Sequence, residues 1–354
     1  MFDLQPPPCV DVANGPIAIL AVHNEMLRME SLLAHHRSIG IKHFFVVDNG
    51  STDGTGEFLT QQADVTCLPS SQPFKDYKSL WYNEIANRYA VGRWTLFVDA
   101  DEQFVYPGWP DKSLAALTDH WNRLGIDALA ATLVDLYSHL PFKNIAYEPG
   151  TPLLDTCSCF DGDSYYLAGV WSDDNGQHPN FSLKGGVRER LFWPNQDKFK
   201  TRFRNAMLSP GMHPYPFRKN LLYRIVRQLL RKIPDPDSPE LCKIPLLRWK
   251  EGYSIDKGAH RLRGSCRIGE DLCTVLHFKF LQDFEQKVRT AVERKQHHKG
   301  SIEYASYKSS LDTLPETVFA NARSIRFQGM QDLYKAGLAH ISKETSDYLL
   351  SMEE

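Results

Sequence analysis

Two clusters of acidic and turn-forming residues carry the chemistry legible in this chain. Asp99-Ala100-Asp101-Glu102 follows the apolar run Trp94 to Val98, and Asp48-Asn49-Gly50-Ser51-Thr52-Asp53-Gly54 follows His43 to Val47. Side chains alternate along an extended segment, so Asp99 and Asp101 point the same way. Their hard oxygens suit Mg²⁺ or Mn²⁺, with phosphate oxygens completing the shell. A metal held there neutralises the charge that builds on a departing diphosphate. Alone, an Asp-x-Asp pair is equally a turn or a pair of solvated acids. The second cluster gives it weight, because ligands of open α/β sheets bind beyond the carboxyl ends of the strands, which brings both clusters to one crevice.

The elements that must hold these clusters read as βαβ units, short apolar runs alternating with helical patterns. Ile17 to Val22 is a first strand, and Glu25 to Ile39 a helix with Met26, Met29, Leu32, Leu33 and Ile39 on one side, closed by Gly40. His43 to Val47 is a second strand, Asp53 to Gln62 a helix start and Val65 to Leu68 a third strand. Tyr77 to Tyr89 is helical, Gly92 breaks it, and Trp94 to Val98 is a buried strand. Ser113 to Arg123 (helix) and Leu129 to Leu136 (strand) continue the alternation. Residues 138–185, rich in Pro, Gly, Asp and Ser, read as loops and short strands shaped for a substrate. Phe217 to Ile233 is a basic amphipathic helix, and Leu281 to His297 and Pro315 to Leu338 are closing helices. The predicted class is α/β: a mostly parallel central sheet flanked by helices, with helical C-terminal additions.

Three segments together resemble glycosyltransferase family 2 and related proteins with the A-type glycosyltransferase fold. They are Val22-His23-Asn24-Glu25, Val46-Val47-Asp48-Asn49-Gly50-Ser51-Thr52-Asp53-Gly54-Thr55 and Leu96-Phe97-Val98-Asp99-Ala100-Asp101-Glu102, with Asn83 ahead of Ala90 and Gly92 fitting the helix before the metal motif. Order and spacing agree over the first 105 residues. The resemblance implies a nucleotide-diphospho-sugar donor, with Asp48 on the base and Ser51 in the same loop, and His23, Asn24 and Glu25 beside the nucleoside. It further implies Asp99 near ribose and diphosphate with Ala100 between the acids, and Asp101 as principal ligand of Mn²⁺ or Mg²⁺. Asn49 departs from the pattern, since many relatives carry a second Asp there; this loosens the inference of base, for which uracil is the expectation.

The segments Lys243-Ile244-Pro245-Leu246 and Leu276-His277-Phe278-Lys279-Phe280, with the helix carrying Phe284 and Lys287, resemble a bacterial branch of these enzymes. That likeness makes His277 the candidate third metal ligand, an imidazole suiting Mn²⁺ better than Mg²⁺. Its alternative is a hydrogen-bonded core histidine; His260 is a weaker candidate. Inverting transfer needs a carboxylate base for the acceptor hydroxyl. By resemblance this is Glu189, within Gly185-Gly186-Val187-Arg188-Glu189-Arg190, with Asp135, Asp173 and Asp174 as alternatives. Each of these acids is alternatively half of an ordinary ion pair, and Arg188 and Arg190 are alternatively diphosphate ligands.

Composition bounds the remaining choices. A net charge of -2, from 41 basic and 43 acidic side chains, offers no field that recruits nucleic acid. The seven cysteines lack paired C-x-x-C spacing and read as reduced thiols, Cys157 and Cys159 included. With no signal peptide or membrane span to be read, the expected location is the cytoplasm, and the sequons at Asn49 and Asn180 carry no weight. In helix 217–233, Leu221, Leu222, Ile225, Val226, Leu229 and Leu230 form one side, flanked by Arg218, Lys219, Arg224, Arg227, Arg231 and Lys232. Such a helix either lies on an anionic membrane, peripherally, or packs on the catalytic body. The expected organisation is a lead-in 1–16, a catalytic domain 17–280 (nucleotide half 17–105, acceptor half 106–280) and a helical extension 281–354. The expected activity is metal-dependent transfer of a sugar to a glycan or lipid-linked acceptor. A haloacid-dehalogenase phosphatase is disfavoured because a complete βα region precedes the Asp-x-Asp pair. A nucleotidyltransferase is disfavoured because Met26 to Arg28 provide no phosphate loop. A catalytically inactive relative that binds glycan or nucleotide is the remaining alternative.

Overall fold

Every residue of the strand Ile17–Val22 is buried. Ala18, Leu20 and Val22 enter one hydrophobic core and Ile17, Ile19 and Ala21 another, on the opposite face. A strand covered on both faces needs no polar alternation, which is why this segment reads as a continuous apolar run. The computed structural model describes Leu4 and residues 10–169, 182–193, 238–256, 258–294 and 306–352. The basic helix expected at 217–233, with Asp173, Asp174 and Asn180, lies outside them.

In chain order the first elements are β1 (Ile17–Val22), α1 (Met26–Ser38), β2 (His43–Asp48), α2 (Thr55–Thr60), β3 (Val65–Pro69), α3 (Phe74–Tyr89), β4 (Trp94–Phe97), β5 (Glu102–Val105), α4 (Leu114–Arg123) and β6 (Ala128–Asp135). Then come α5 (Leu153–Thr156), β7 (Cys159–Asp161), β8 (Tyr165–Gly169), β9 (Ser182–Gly185), α6 (Gly186–Phe192), β10 (Cys242–Arg248), β11 (Ser254–Asp256), β12 (Arg261–Arg263) and β13 (Ile268–His277). The last are α7 (Phe284–Arg294), β14 (Ser324–Arg326), α8 (Met330–Lys335) and α9 (Lys343–Ser351).

The central sheet has eight strands in the order β3-β2-β1-β4-β10-β6-β13-β5. β3, β2, β1 and β4 are mutually parallel, and β6 and β13 continue that direction; β10 and the edge strand β5 run against it. The α/β class and its mostly parallel sheet therefore hold. Helix α1 covers one face with Met29, Leu32 and Leu33, and α3 the other with Trp81, Tyr82 and Ile85. α4 adds Leu114, Leu117 and Trp121 to the α1 side.

One strand is not read from the sequence, and one expected helix is corrected. β10 enters the sheet between β4 and β6 although Pro245 lies within it, a residue that normally argues against a central strand. The register against β6 shifts between Lys243 and Leu246, so the proline sits at a bulge where no ladder bond is required of it. The helix expected over Pro315 to Leu338 is instead a 3₁₀ turn at Leu314–Glu316, the strand β14 paired with β7, and the short α8. Around 321–324 side chains compete with the helical ladder: the Asn321 side chain accepts the Arg323 N–H, and Ser324 Oγ accepts the Asn321 N–H. The apolar residues of this stretch also divide, Phe319 joining one core and Phe327 another, which a single helix face does not allow.

Among the described residues no helix is long and apolar enough to cross a membrane. The described cysteines are free thiols, including Cys157 and Cys159.

The end of α1 makes the fold acid-sensitive. Buried His36 donates from Nδ1 to the Leu32 carbonyl and accepts the Phe104 N–H at Nε2, which defines a neutral imidazole. Burial, with His35 alongside, pushes its pKa down to about 3; burial also pushes His35 to about 4 and His260 to about 3. These groups stay neutral in the fold while their unfolded counterparts protonate near pH ~6.5. Their contribution to stability is therefore complete above that pH and is lost as pH falls towards the folded values, by up to about 1.4 kcal/mol per pH unit for each group. The melting temperature should fall from pH 6.5 to 5; a flat or rising profile would contradict the neutral assignment.

Candidate functional site

The loops after β1 and β2 are stitched together before any ligand is considered. Asn24, whose φ of 54° is left-handed, donates its N–H to Ser51 Oγ at 2.9 Å and accepts the Thr52 N–H at 2.7 Å. The Glu25 N–H reaches Thr55 Oγ1 and the Met26 N–H reaches Asp53 Oδ2, both at 3.0 Å, so the second loop supplies partners for donors at the start of α1. His23 donates from Nδ1 to the Asn49 carbonyl, and the Asn49 amide donates to the carbonyls of Ser70 and Gln72. Asp48 accepts the Ser51 N–H at 3.1 Å. Gly56 lets its carboxylate lie close, since a Cβ at that position would stand 2.6 Å from Asp48 Oδ2.

The Asp-x-Asp segment lies between β4 and β5, in the bend between oppositely running strands. Asp99 is gripped by two lysines, Lys78 of α3 on Oδ1 at 2.5 Å and Lys243 of β10 on Oδ2 at 3.0 Å. Lys243 also reaches Glu102 Oε1, and Glu102 Oε2 accepts the Asp99 N–H. Burial works against the charge on Asp99, but Lys243 and Lys78 outweigh it and hold the carboxyl well below its ordinary range. Burial dominates at Glu102 and raises its pKa despite Lys243.

Asp101 faces a different partner. His277, at the end of β13, places Nε2 3.1 Å from Asp101 Oδ2 and Nδ1 2.5 Å from Asp135 Oδ1; Asp135 in turn accepts Arg188 Nε at 2.7 Å. Asp135 has no exposed side-chain surface. Burial opposes charge on His277, yet Asp101 and then Asp135 lift its pKa to about 9. The backbone locks the same junction, the Phe278 N–H donating to the Asp101 carbonyl at 2.7 Å. Arg28 binds Asp283 through two nitrogens, at 2.5 and 2.8 Å, and Lys287 reaches Glu25 at 2.5 Å, so α7 is clasped to the first turn of α1.

These groups line a cleft of about 590 Å³. Of the residues predicted for the site, His23, Asn24, Glu25, Asp99, Ala100, Asp101 and His277 line it. Asp48, Ser51, Asn83, Asp135 and Glu189 do not. Asn83 uses its amide on the backbone of Ile255, donating at 3.0 Å and accepting at 2.8 Å, a tie between α3 and β11. Asp135 stands behind His277. Glu189, half-buried on α6, accepts from Tyr166 Oη at 3.0 Å and Ser238 Oγ at 2.5 Å, while Arg188 and Arg190 on either side pair with Asp135 and Asp161. Lys78, Lys279 and Asp283 also line the cleft and were given no role by sequence reasoning. For Lys78 a signal existed, a cation one helical turn after Phe74 and ahead of the acidic motif, but nothing local tied it to Asp99.

A divalent cation fits the chemistry of this corner. Asp101, Glu102 and His277 bring ligand atoms within 4.8 Å of one another, among the described residues. The carboxylate of Asp135 on Nδ1 is the arrangement that orients a metal-binding imidazole. Asp99, expected to be a ligand, is outside this trio and engaged by lysines instead.

No family model and no curated protein matches the chain. Among solved structures, S. aureus TarS aligns at 18% identity with a TM-score of 0.28, over 40% of this chain and 26% of that one. A structure of S. aureus TarS 1-349 aligns at 19% with a TM-score of 0.27, over 40% of this chain and 43% of that one. UDP-glucose pyrophosphorylase complexed with UDP-glucose aligns at 10% with a TM-score of 0.23, over 49% of this chain and 68% of that one. The alignments thus span less than half of either TarS chain. Similarity at this level carries no argument about activity.

Proposed function

We propose that the cleft is the donor site of a glycosyltransferase that moves a sugar from a nucleotide-diphospho-sugar, UDP-linked in the first instance, to a hydroxyl of a glycan or lipid-linked acceptor. The observation that supports this is convergence. The loop after β1 and the acidic segment after β4, both at carboxyl ends of parallel strands, meet His277 of β13 on one cleft. Open α/β sheets bind nucleotides at such strand ends.

When bound, a divalent metal supplies Lewis-acid stabilisation of the charge on the departing diphosphate. Asp101 and His277 would hold it, with Glu102 adjacent. Asp135 and Arg188 keep His277 aimed at Asp101. Asp99 keeps Lys78 at the cleft wall, a cation suited to phosphate oxygens. Ala100, with its small side chain, leaves room between the two acids. Calorimetric titration with UDP, with and without Mn²⁺, tests the reading. Metal-dependent binding is expected, followed by metal-dependent hydrolysis of one member of a panel of UDP-, GDP- and dTDP-sugars. No binding in either condition would overturn it.

Glu189 is the proposed acceptor-side base. Both flanking arginines are engaged elsewhere, and its carboxylate is oriented by Tyr166 and Ser238. Glu189→Gln should lower turnover by about 100-fold or more, the scale of general-base catalysis, and leave UDP affinity unchanged, because the base acts on the acceptor. Undiminished turnover in that variant would remove Glu189 from the mechanism.

A further inference from the structure

A second cavity, of about 900 Å³, is formed by the 108–111 loop, α8 and α9. It lies beyond the opposite end of β5 from the acidic segment. Glu102 pairs with His277 at the site end, and the strand runs three steps to Val105, about 10 Å at 3.3–3.4 Å per residue. The chain then turns, the Trp109 N–H donating to the Tyr106 carbonyl, with Gly108 at a φ of 87°. That left-handed geometry and a tight fit demand glycine: a Cβ there would stand 3.2 Å from Leu349 of α9. The turn brings Trp109 to the cavity wall.

We propose that this cavity is a saccharide-binding site, separate from the cleft, for a neutral sugar ring or short oligosaccharide. Trp109, its ring stacked on Phe327 at 6.2 Å, and Tyr334, half-buried against the core, line the wall with aromatic surface of the kind on which the C–H face of a pyranose packs. Asp111, Gln328 and Gln331 supply carboxylate and amide groups, and Lys335 a donor, for hydroxyls. Among the described residues none makes a side-chain hydrogen bond to Asp111, Gln331, Tyr334 or Lys335, so their bonding capacity is available to a ligand. Other ligand classes suit the lining less well. Cations do not converge as a phosphate group requires, and polar groups interrupt the wall that a lipid chain would need. A metal would find carboxylates only in Asp111 and Asp332, and Asp332 already accepts the Gln328 N–H at 2.8 Å. A hydroxyl-rich ring with one apolar face matches the aromatic plates, planar acceptors and near-balanced charge together.

The test uses the full chain on a glycan microarray, without donor nucleotide or metal. Wild type and Asp101→Asn should retain the same set of glycans. Trp109→Ala and the double variant Asp111→Ala/Gln331→Ala should retain them at least ten-fold less. The double variant changes only exposed side chains, so its loss of binding is readable even if Trp109→Ala fails to fold. The inference is overturned if wild type retains no glycan, or if the double variant binds as wild type does. It is equally overturned if Asp101→Asn abolishes retention, which would assign sugar binding to the cleft. Because the readout needs no turnover, it stands apart from the transferase reading of the cleft.

Discussion

Asp101→Asn is expected to reduce sugar transfer by about 1,000-fold, equivalent to roughly 4 kcal/mol of lost transition-state stabilisation. The fold should survive. The Asp101 side chain is 22% exposed, and removing its charge leaves His277 on Asp135 and Asp135 on Arg188. Single-turnover transfer and Mn²⁺-dependent UDP titration measure the effect, with urea unfolding as control. Near-normal turnover would eliminate Asp101 as the metal ligand. The parallel change at Asp99 has a different character, because its carboxylate lies between Lys78 and Lys243, and Lys243 is 4% exposed. Asp99→Asn should therefore lower stability as well as activity, so only the Asp101 variant isolates the chemistry.

Asp135→Asn should cost about 1.5–3 kcal/mol of folding free energy, because it removes the buried carboxylate that accepts charge-assisted hydrogen bonds from Arg188 and His277. Urea denaturation measures this directly. Loss of activity in Asp135→Asn would not identify Asp135 as the base: its side chain has no exposed surface, and a base must reach the acceptor proton. The separating readout is metal binding. Asp135 orients His277, so its replacement should weaken Mn²⁺-dependent UDP binding, whereas Glu189→Gln should leave it unchanged. Unaltered stability and unaltered metal dependence in Asp135→Asn would refute the assigned role.

The nucleotide-half strands could be read in the sequence because their burial is local and two-sided. Ile17–Val22, His43–Asp48 and Trp94–Phe97 carry apolar residues to both cores, and the acidic and glycine residues after them mark where each strand leaves the sheet. The same regularity pointed to one crevice holding both acidic clusters; the Asp-x-Asp pair lines the cleft, whereas of the cluster after β2 Asp53 lines it and Asp48 does not. What each polar group does there was decided only by tertiary contacts. Asp53 belongs to the same acidic cluster as Asp48, yet it caps Met26. Asn83 ties α3 to β11, and the first acid of the motif is held by lysines. The deciding partners are far apart in the chain, Lys243 and Asp99 by 144 residues, His277 and Asp135 by 142, Lys287 and Glu25 by 262. No period of 2 or 3.6 residues encodes such pairings. They follow from β10 entering the sheet beside β4 and from β13 lying between β6 and β5, placements that become favourable only once long-range strand pairing has closed the intervening loops.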